Sequence, residues 1–149
     1  MKILILCTGN SCRSQMAQAL LLSVDSKLGV FSAGTEPAEK VNERAIAVMK
    51  ELGIDLSSAY PKSVTQYLDE EWDYVITVCG GANENCPMFV GKVKHRLHFG
   101  FDDPAAVTGD DEYVMSEFRR IRNEIKERFL TFYNEEVKPQ LLLDSSSEG

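Results

Sequence analysis

The chain of 149 residues lacks the features that would take it out of the ordinary soluble classes. Its opening apolar run, Ile3-Leu4-Ile5-Leu6, is too short for a signal segment or a membrane span and leads straight into Cys7-Thr8-Gly9, so a cytoplasmic protein is expected. Positive charge is in deficit: 16 Lys and Arg stand against 23 Asp and Glu, a net charge of −7. With no local basic patch to override that total, nucleic acid and anionic membranes are excluded as expected partners. Internal repeats and linkers are absent. Cysteines number only four, too few for a disulfide scaffold. In a reducing compartment they are expected to be catalytic, redox-active, metal-binding or simply buried.

Hydrophobic residues make up 44% and charged residues 26%, the composition of a single packed domain, expected over residues 1–138 with a flexible tail over 139–149. Lys2 to Leu6 reads as a strand buried on both faces. A helix over Ser14 to Leu22 follows, then a strand Val30 to Ala33 ending at Gly34. Asn42 has the character of an N-cap for a helix that stops at Gly53. A weaker helix covers Val64 to Glu70, and the β-branched run Asp73 to Val78 is a third strand ending at Cys79. Lys92 to Phe99 alternates as an edge strand, and Asp110-Asp111 caps a long helix in which Phe118, Ile121, Ile125 and Phe129 recur at helical spacing. Strands alternating with helices predict a parallel α/β sheet. Ligands of such sheets bind at the carboxyl ends of the strands, where Cys7 and Cys79 both fall.

Between the first strand and helix stands Cys7-Thr8-Gly9-Asn10-Ser11-Cys12-Arg13-Ser14. A short loop entering a helix turns successive backbone N–H groups inward, and the helix dipole adds positive potential there, which makes an anion cradle. Gly9 and Asn10 tolerate the left-handed backbone expected in such a loop. Arg13 is able to grip two oxygens of a tetrahedral oxyanion. The dipole, the amides and Arg13 all favour a thiolate at Cys7 near neutral pH, with Ser14 placed to donate a hydrogen bond to the sulfur. The bland alternative is a phosphate-binding turn with an inert cysteine. Cys12 has no obvious partner and receives no catalytic role.

The second constellation is Cys79-Gly80-Gly81-Ala82-Asn83-Glu84-Asn85-Cys86-Pro87, a segment with the composition of a mobile loop and a cysteine near each end. Its Cys-x6-Cys spacing suits neither a zinc knuckle nor a Cys-x-x-Cys redox turn. Zinc on Cys79, Cys86, His95 and His98, or two unrelated buried cysteines, remain open alternatives. Asp103, in Asp102-Asp103-Pro104, reads as a plain turn in isolation; beside an anion site it qualifies as a general acid when burial near the oxyanion favours its protonated form.

Together Cys-Thr-Gly-Asn-Ser-Cys-Arg-Ser-Gln-Met-Ala from Cys7, Ser-Ala-Gly from Ser32, Asn-Cys-Pro from Asn85 and Gly-Phe-Asp-Asp-Pro-Ala from Gly100 resemble the thioredoxin-coupled arsenate reductases. That family is built on the low-molecular-weight tyrosine phosphatase fold, a three-layer αβα architecture around a four-stranded parallel sheet. The similarity spans nearly the whole chain. Cys-x5-Arg-Ser marks the whole phosphatase superfamily, whereas Cys79 and Cys86 single out the reductases. The resemblance implies that Cys7 attacks arsenate held by Arg13 and the loop from Thr8 to Ser14, including Gly9, Asn10, Ser11 and Cys12, with phosphate and sulfate as analogues. It implies further that Asp103 protonates the leaving hydroxide, that Cys7–Cys79 and then Cys79–Cys86 disulfides form, and that thioredoxin reduces the last, with no cofactor and no metal. A phosphatase acting through a phosphocysteine is the alternative. Some members hold potassium near the loop with acidic side chains; where two of these align, the chain has Gln18 and Lys62, and the Lys62 ammonium is expected to stand in for the ion.

Overall fold

A computed structural model describes the backbone of residues 1–80 and 89–148 and the side chains of 1–80 and 89–144. The apolar opening run forms β1, Lys2–Cys7, and the next strand, β2, is Gly29–Gly34. The third and fourth, β3 over Glu71–Cys79 and β4 over Lys92–Phe101, complete a four-stranded sheet in the order β2-β1-β3-β4. All three pairings are parallel, as the alternation of strands and helices predicts. Leu6 of β1 pairs with Ala33 on one side and Thr77 on the other, so Cys7 leaves the sheet beside the end of β3.

One face of the sheet packs Ile3, Ile5, Tyr74, Ile76 and Val78 against three helices: α1 over Arg13–Val24, α2 over Glu43–Lys50 and α3 over Asp111–Phe132. Phe118, Ile121, Ile125 and Phe129 of α3 are the buried stripe that their spacing predicts. The opposite face, Leu4, Leu6 and Val75, packs with Trp72, Tyr67 and Phe89, and its cover among the described residues is a single 3-10 turn, Val64–Tyr67, with Leu68 and the Phe89 loop. The expected weaker helix to Glu70 is therefore one tight turn. Trp72 and Tyr74 are packing residues: Trp72 meets Phe31 and Tyr67 edge-on and donates its indole N–H to the Tyr67 carbonyl at 3.1 Å.

Two departures from the sequence expectation bear on the chain's ends and on the site. Beyond α3 the backbone passes through a π turn, Tyr133–Val137, into a further helix, α4 over Lys138–Glu148, in the stretch expected as a flexible tail. Leu141 packs against the core while Leu142 and Leu143 are 64% and 63% exposed, too short a pattern to mark the helix by its period. Secondly, β4 runs on to Phe101, because Thr77 pairs with His98 but Cys79 pairs with Phe101, three residues of β4 opposing two steps of β3. This bulge carries the strand to the site. No helix among the described residues is long and apolar enough to cross a membrane.

Asn42 caps α2 as its position predicts, its side chain accepting from the amides of Arg44 and Ala45 at 2.8 and 3.3 Å. Asn42→Ala is expected to cost about 1 kcal/mol. The backbone contacts of residue 42 survive that change, so an unaltered urea midpoint would show the cap to be idle.

Candidate functional site

The loop from Cys7 to Arg13 is held from outside by its carbonyls. Thr8 O accepts from Glu36 N at 2.9 Å, Gly9 O from Ala38 N at 2.9 Å, and Ser11 O from Asn42 N at 2.8 Å. Asn10 O accepts from the Gln15 side chain at 3.1 Å, and Cys12 O accepts from Met16 N at 3.0 Å as the first bond of α1. In a planar trans peptide the N–H points opposite to the carbonyl. Five consecutive outward carbonyls therefore turn the amides of residues 9 to 13 inward, which is the cradle that the loop composition predicts. Unlike α2 and α3, α1 has no side-chain cap and no acid in its first turn, so its positive end also faces the loop.

Asn10 carries the loop's one left-handed residue, with φ of 51°. Gly9, expected to share that conformation, does not adopt it. Asn10 is fully buried, and its Oδ1 accepts from Lys62 N at 2.9 Å and Gln15 Nε2 at 3.1 Å. Those two donors fix which end of the amide is oxygen, so Nδ2 is the end that donates to Ser14 Oγ at 2.8 Å. The Ser14 hydroxyl, its oxygen occupied, keeps its own proton to donate.

Within the loop lies a cavity of about 430 Å³, lined by Cys7, Thr8, Gly9, Ser11, Cys12, Arg13, Thr35, Glu36, Asp103 and Ala105. The structure thus brings Cys7, Arg13 and Asp103 together from 96 residues of sequence separation at the ends of β1 and β4. Arg13 is 3% exposed; its Nη1 donates to the Phe101 carbonyl at 2.9 Å and its Nη2 lies 3.8 Å from Asp103 Oδ2. Asp103 also accepts from Ala105 N at 3.0 Å, so the turn reading and the site reading are both true of it. Asn10 and Ser14 do not line the cavity; their side chains brace it. Burial pushes the Cys12 thiol well up, with Asp103 adding to the rise and Arg13 opposing it, which leaves Cys12 a protonated wall residue rather than a nucleophile.

Cys79, fully buried at the end of β3, is disulfide-bonded, whereas Cys7 and Cys12 are free thiols. The expectations for Asn85, Cys86 and Pro87 lie outside the described residues. His95 stacks on Tyr74 with centroids 4.9 Å apart, while His98 shares a 2.7 Å hydrogen bond with Thr77 Oγ1, so the two rings belong to different neighbours. Gln18 is bound to neutral groups, donating to Val30 O at 3.0 Å and accepting from Ser32 Oγ at 2.6 Å. Lys62 Nζ donates to Tyr60 O at 3.0 Å and lies 5.1 Å from the centre of that residue's ring, and burial pulls its pKa below the usual lysine value. The same Tyr60 carbonyl accepts from Gln15 at 3.0 Å, which ties the ammonium to the braces of Asn10.

Sequence reasoning assigned no task to Gln15, Gly34, Glu36 or the Phe101 carbonyl. Gly34 carried a signal, as the last residue of the Ser-Ala-Gly motif: a Cβ there would stand 2.4 Å from Thr8 O and 3.1 Å from Asn10 N. Gly34→Ala must therefore push the loop out of shape. Phosphate binding, read by titration calorimetry, is expected to weaken roughly 10–100-fold, the scale of a misplacement of about 1 Å; wild-type affinity would show that the loop tolerates the shift.

Residues 2–141 match the family model described as low molecular weight phosphotyrosine protein phosphatase. An arsenate reductase of Halalkalibacterium halodurans is 46% identical over 131 residues, covering 87% of this chain and 93% of the relative. Among solved structures, an arsenate reductase from Archaeoglobus fulgidus superposes with a TM-score of 0.73 at 27% identity, over 90% of this chain and all of that one. A thioredoxin-dependent arsenate reductase of Corynebacterium glutamicum gives 0.55 at 29% identity, over 87% of this chain and 61% of that one. Matched by that family model over residues 2–141, with an arsenate reductase relative at 46% identity, the chain belongs to the low molecular weight phosphotyrosine protein phosphatase family, and arsenate reductases are among its relatives.

Proposed function

We propose that the chain is a cytoplasmic arsenate reductase that works through three thiols and is regenerated by thioredoxin. Cys7 thiolate attacks the arsenic of an arsenate gripped by Arg13 and the inward amides, and hydroxide leaves as water with a proton from Asp103. Ser14, its oxygen already occupied by Asn10, donates to the Cys7 sulfur. Cys79 thiolate then attacks the Cys7 sulfur, and the electron pair of the sulfur–arsenic bond passes to arsenic, releasing arsenite and leaving a Cys7–Cys79 disulfide. Cys86 attacks Cys79, frees Cys7 and leaves a Cys79–Cys86 disulfide for the dithiol of thioredoxin. Phosphate and sulfate are ligands of the same loop.

The observation that carries this reading is the pairing of the thiols: Cys7 is a free thiol lining the anion cavity while Cys79, at the end of the adjacent strand, is disulfide-bonded. The register of Leu6 with Thr77 brings the ends of β1 and β3, which carry Cys7 and Cys79, side by side. Phosphatase chemistry is the second reading, favoured by the sufficiency of Cys7, Arg13 and Asp103 for phosphoryl transfer through a phosphocysteine. Thioredoxin, its reductase and NADPH separate the two. Sustained arsenate-dependent NADPH oxidation is expected; its absence from folded, reduced protein would leave the phosphatase reading in first place.

Asp103→Asn is expected to slow the chemical step by about 10²–10⁴, measured in single turnover. An unchanged rate would reduce Asp103 to a turn residue. Lys62 is proposed to supply fixed positive charge beside the loop, because its ammonium reaches the carbonyl that also braces Gln15 and because no acidic side chain stands at Gln18 or Lys62. Exchanging sodium for potassium should then leave activity and melting temperature unaltered, and a strong preference for potassium would refute the assignment.

A further inference from the structure

Gly80 follows Cys79 and stands directly against the peptide of Phe101. A Cβ built on Gly80 would lie 2.5 Å from Phe101 O, 2.7 Å from Phe101 N and 2.8 Å from Phe101 C, three contacts with backbone that has no side-chain freedom to yield. The bulge of β4 sets up this approach, since it brings Phe101 opposite Cys79 and puts Gly100 beside Gly80, where a Cβ on Gly100 would be 3.5 Å from the Gly80 Cα. A glycine in a strand end commonly marks such a close pass of two backbones. The Phe101 oxygen that Gly80 faces is the same atom that accepts the 2.9 Å hydrogen bond from Arg13 Nη1. Arg13 is almost wholly buried, and that carbonyl, at 2.9 Å from Nη1, helps to set its direction together with Asp103 at 3.8 Å from Nη2.

We infer that Gly80 is a positioning residue for the oxyanion site: by allowing the Phe101 peptide to seat between Gly80 and Arg13, it sets the aim of the guanidinium from the base of the redox segment. The inference rests on the oxyanion reading of the loop and deepens it, because it ties the strand end that carries Cys79 to the grip on the first substrate. A side chain at position 80 must displace the Phe101 carbonyl, and Arg13 then loses the 2.9 Å acceptor that helps to orient it. The effect reaches a step in which Cys79 takes no part. Gly91, at the other base of the same segment, provides the comparison: a Cβ there would meet the Phe89 ring at 2.5 Å, with no connection to Arg13.

The test is alkylation of Cys7 by iodoacetamide in the oxidised protein, where Cys79 is closed to the reagent, with inorganic phosphate as protectant. In Gly80→Ala the phosphate concentration giving half-protection is expected to rise roughly tenfold or more, the scale of one lost hydrogen bond to a charged group. Gly91→Ala should keep the wild-type value. Equal half-protection in Gly80→Ala and wild type overturns the inference, as does an equal rise in both variants. Phosphate that fails to protect Cys7 in the wild-type protein would instead refute the oxyanion reading, and the inference with it. Should Gly80→Ala not fold, a phosphate titration of the wild-type protein followed by NMR decides. The Gly80 amide resonance should then move with the same midpoint as the loop amides, and a Gly80 amide that stays still would overturn the coupling.

Discussion

Everything at this site depends on the direction of five carbonyls. The peptide units from Thr8 to Cys12 spend their oxygens on Glu36, Ala38, Gln15, Asn42 and Met16, all outside the loop. Trans geometry then forces the opposite ends of those peptides inward, before any ligand arrives. A cradle prepared in this way needs no reorganisation when charge develops on a bound oxyanion, which is the condition under which backbone dipoles contribute most. The segment between β2 and α2 is thus a working part of the site although it supplies no reacting group. Gly34 belongs to the same device, since the pass of β2 beneath Thr8 leaves no room for a Cβ.

A second tie runs across the sheet. Arg13 leaves α1, crosses the end of β3 and is caught by the Phe101 carbonyl of β4, with Asp103 two residues further on. Cys7, Arg13 and Asp103 therefore come from three elements that meet only because the strand order puts β1 and β4 on either side of β3. Cys12 lines the same cavity, and there burial and the carboxylate of Asp103 hold its thiol protonated.

What the sequence alone disclosed follows a physical division. Side-chain patterns were readable: β-branched and apolar runs for the strands, Asn42 and Asp110 as caps, the Phe118 to Phe129 stripe, and the convergence of Cys7 and Cys79 at the carboxyl edge of a parallel sheet. Backbone-to-backbone relations left no such trace. Nothing in the letters Gly80, Gly100 and Phe101 announces a bulge, nor that a carbonyl orients Arg13. Asn10 looked like a turn former and proved to be a buried brace, because its side-chain amide has partners 52 residues away at Lys62. The final helix escaped recognition for a different reason: among its leucines only Leu141 packs on the core, while Leu142 and Leu143 face solvent.

The division of labour among the thiols is the central claim, and a single stoichiometric reaction tests it most directly. Fully reduced protein is treated with one equivalent of arsenate in the absence of any external reductant, then alkylated and mapped by mass spectrometry, with arsenite assayed in parallel. The account predicts one equivalent of arsenite, a disulfide joining Cys79 to Cys86, and Cys7 and Cys12 recovered as thiols. Arsenate left unreduced with all four cysteines still reduced, or a disulfide that includes Cys12, would contradict it.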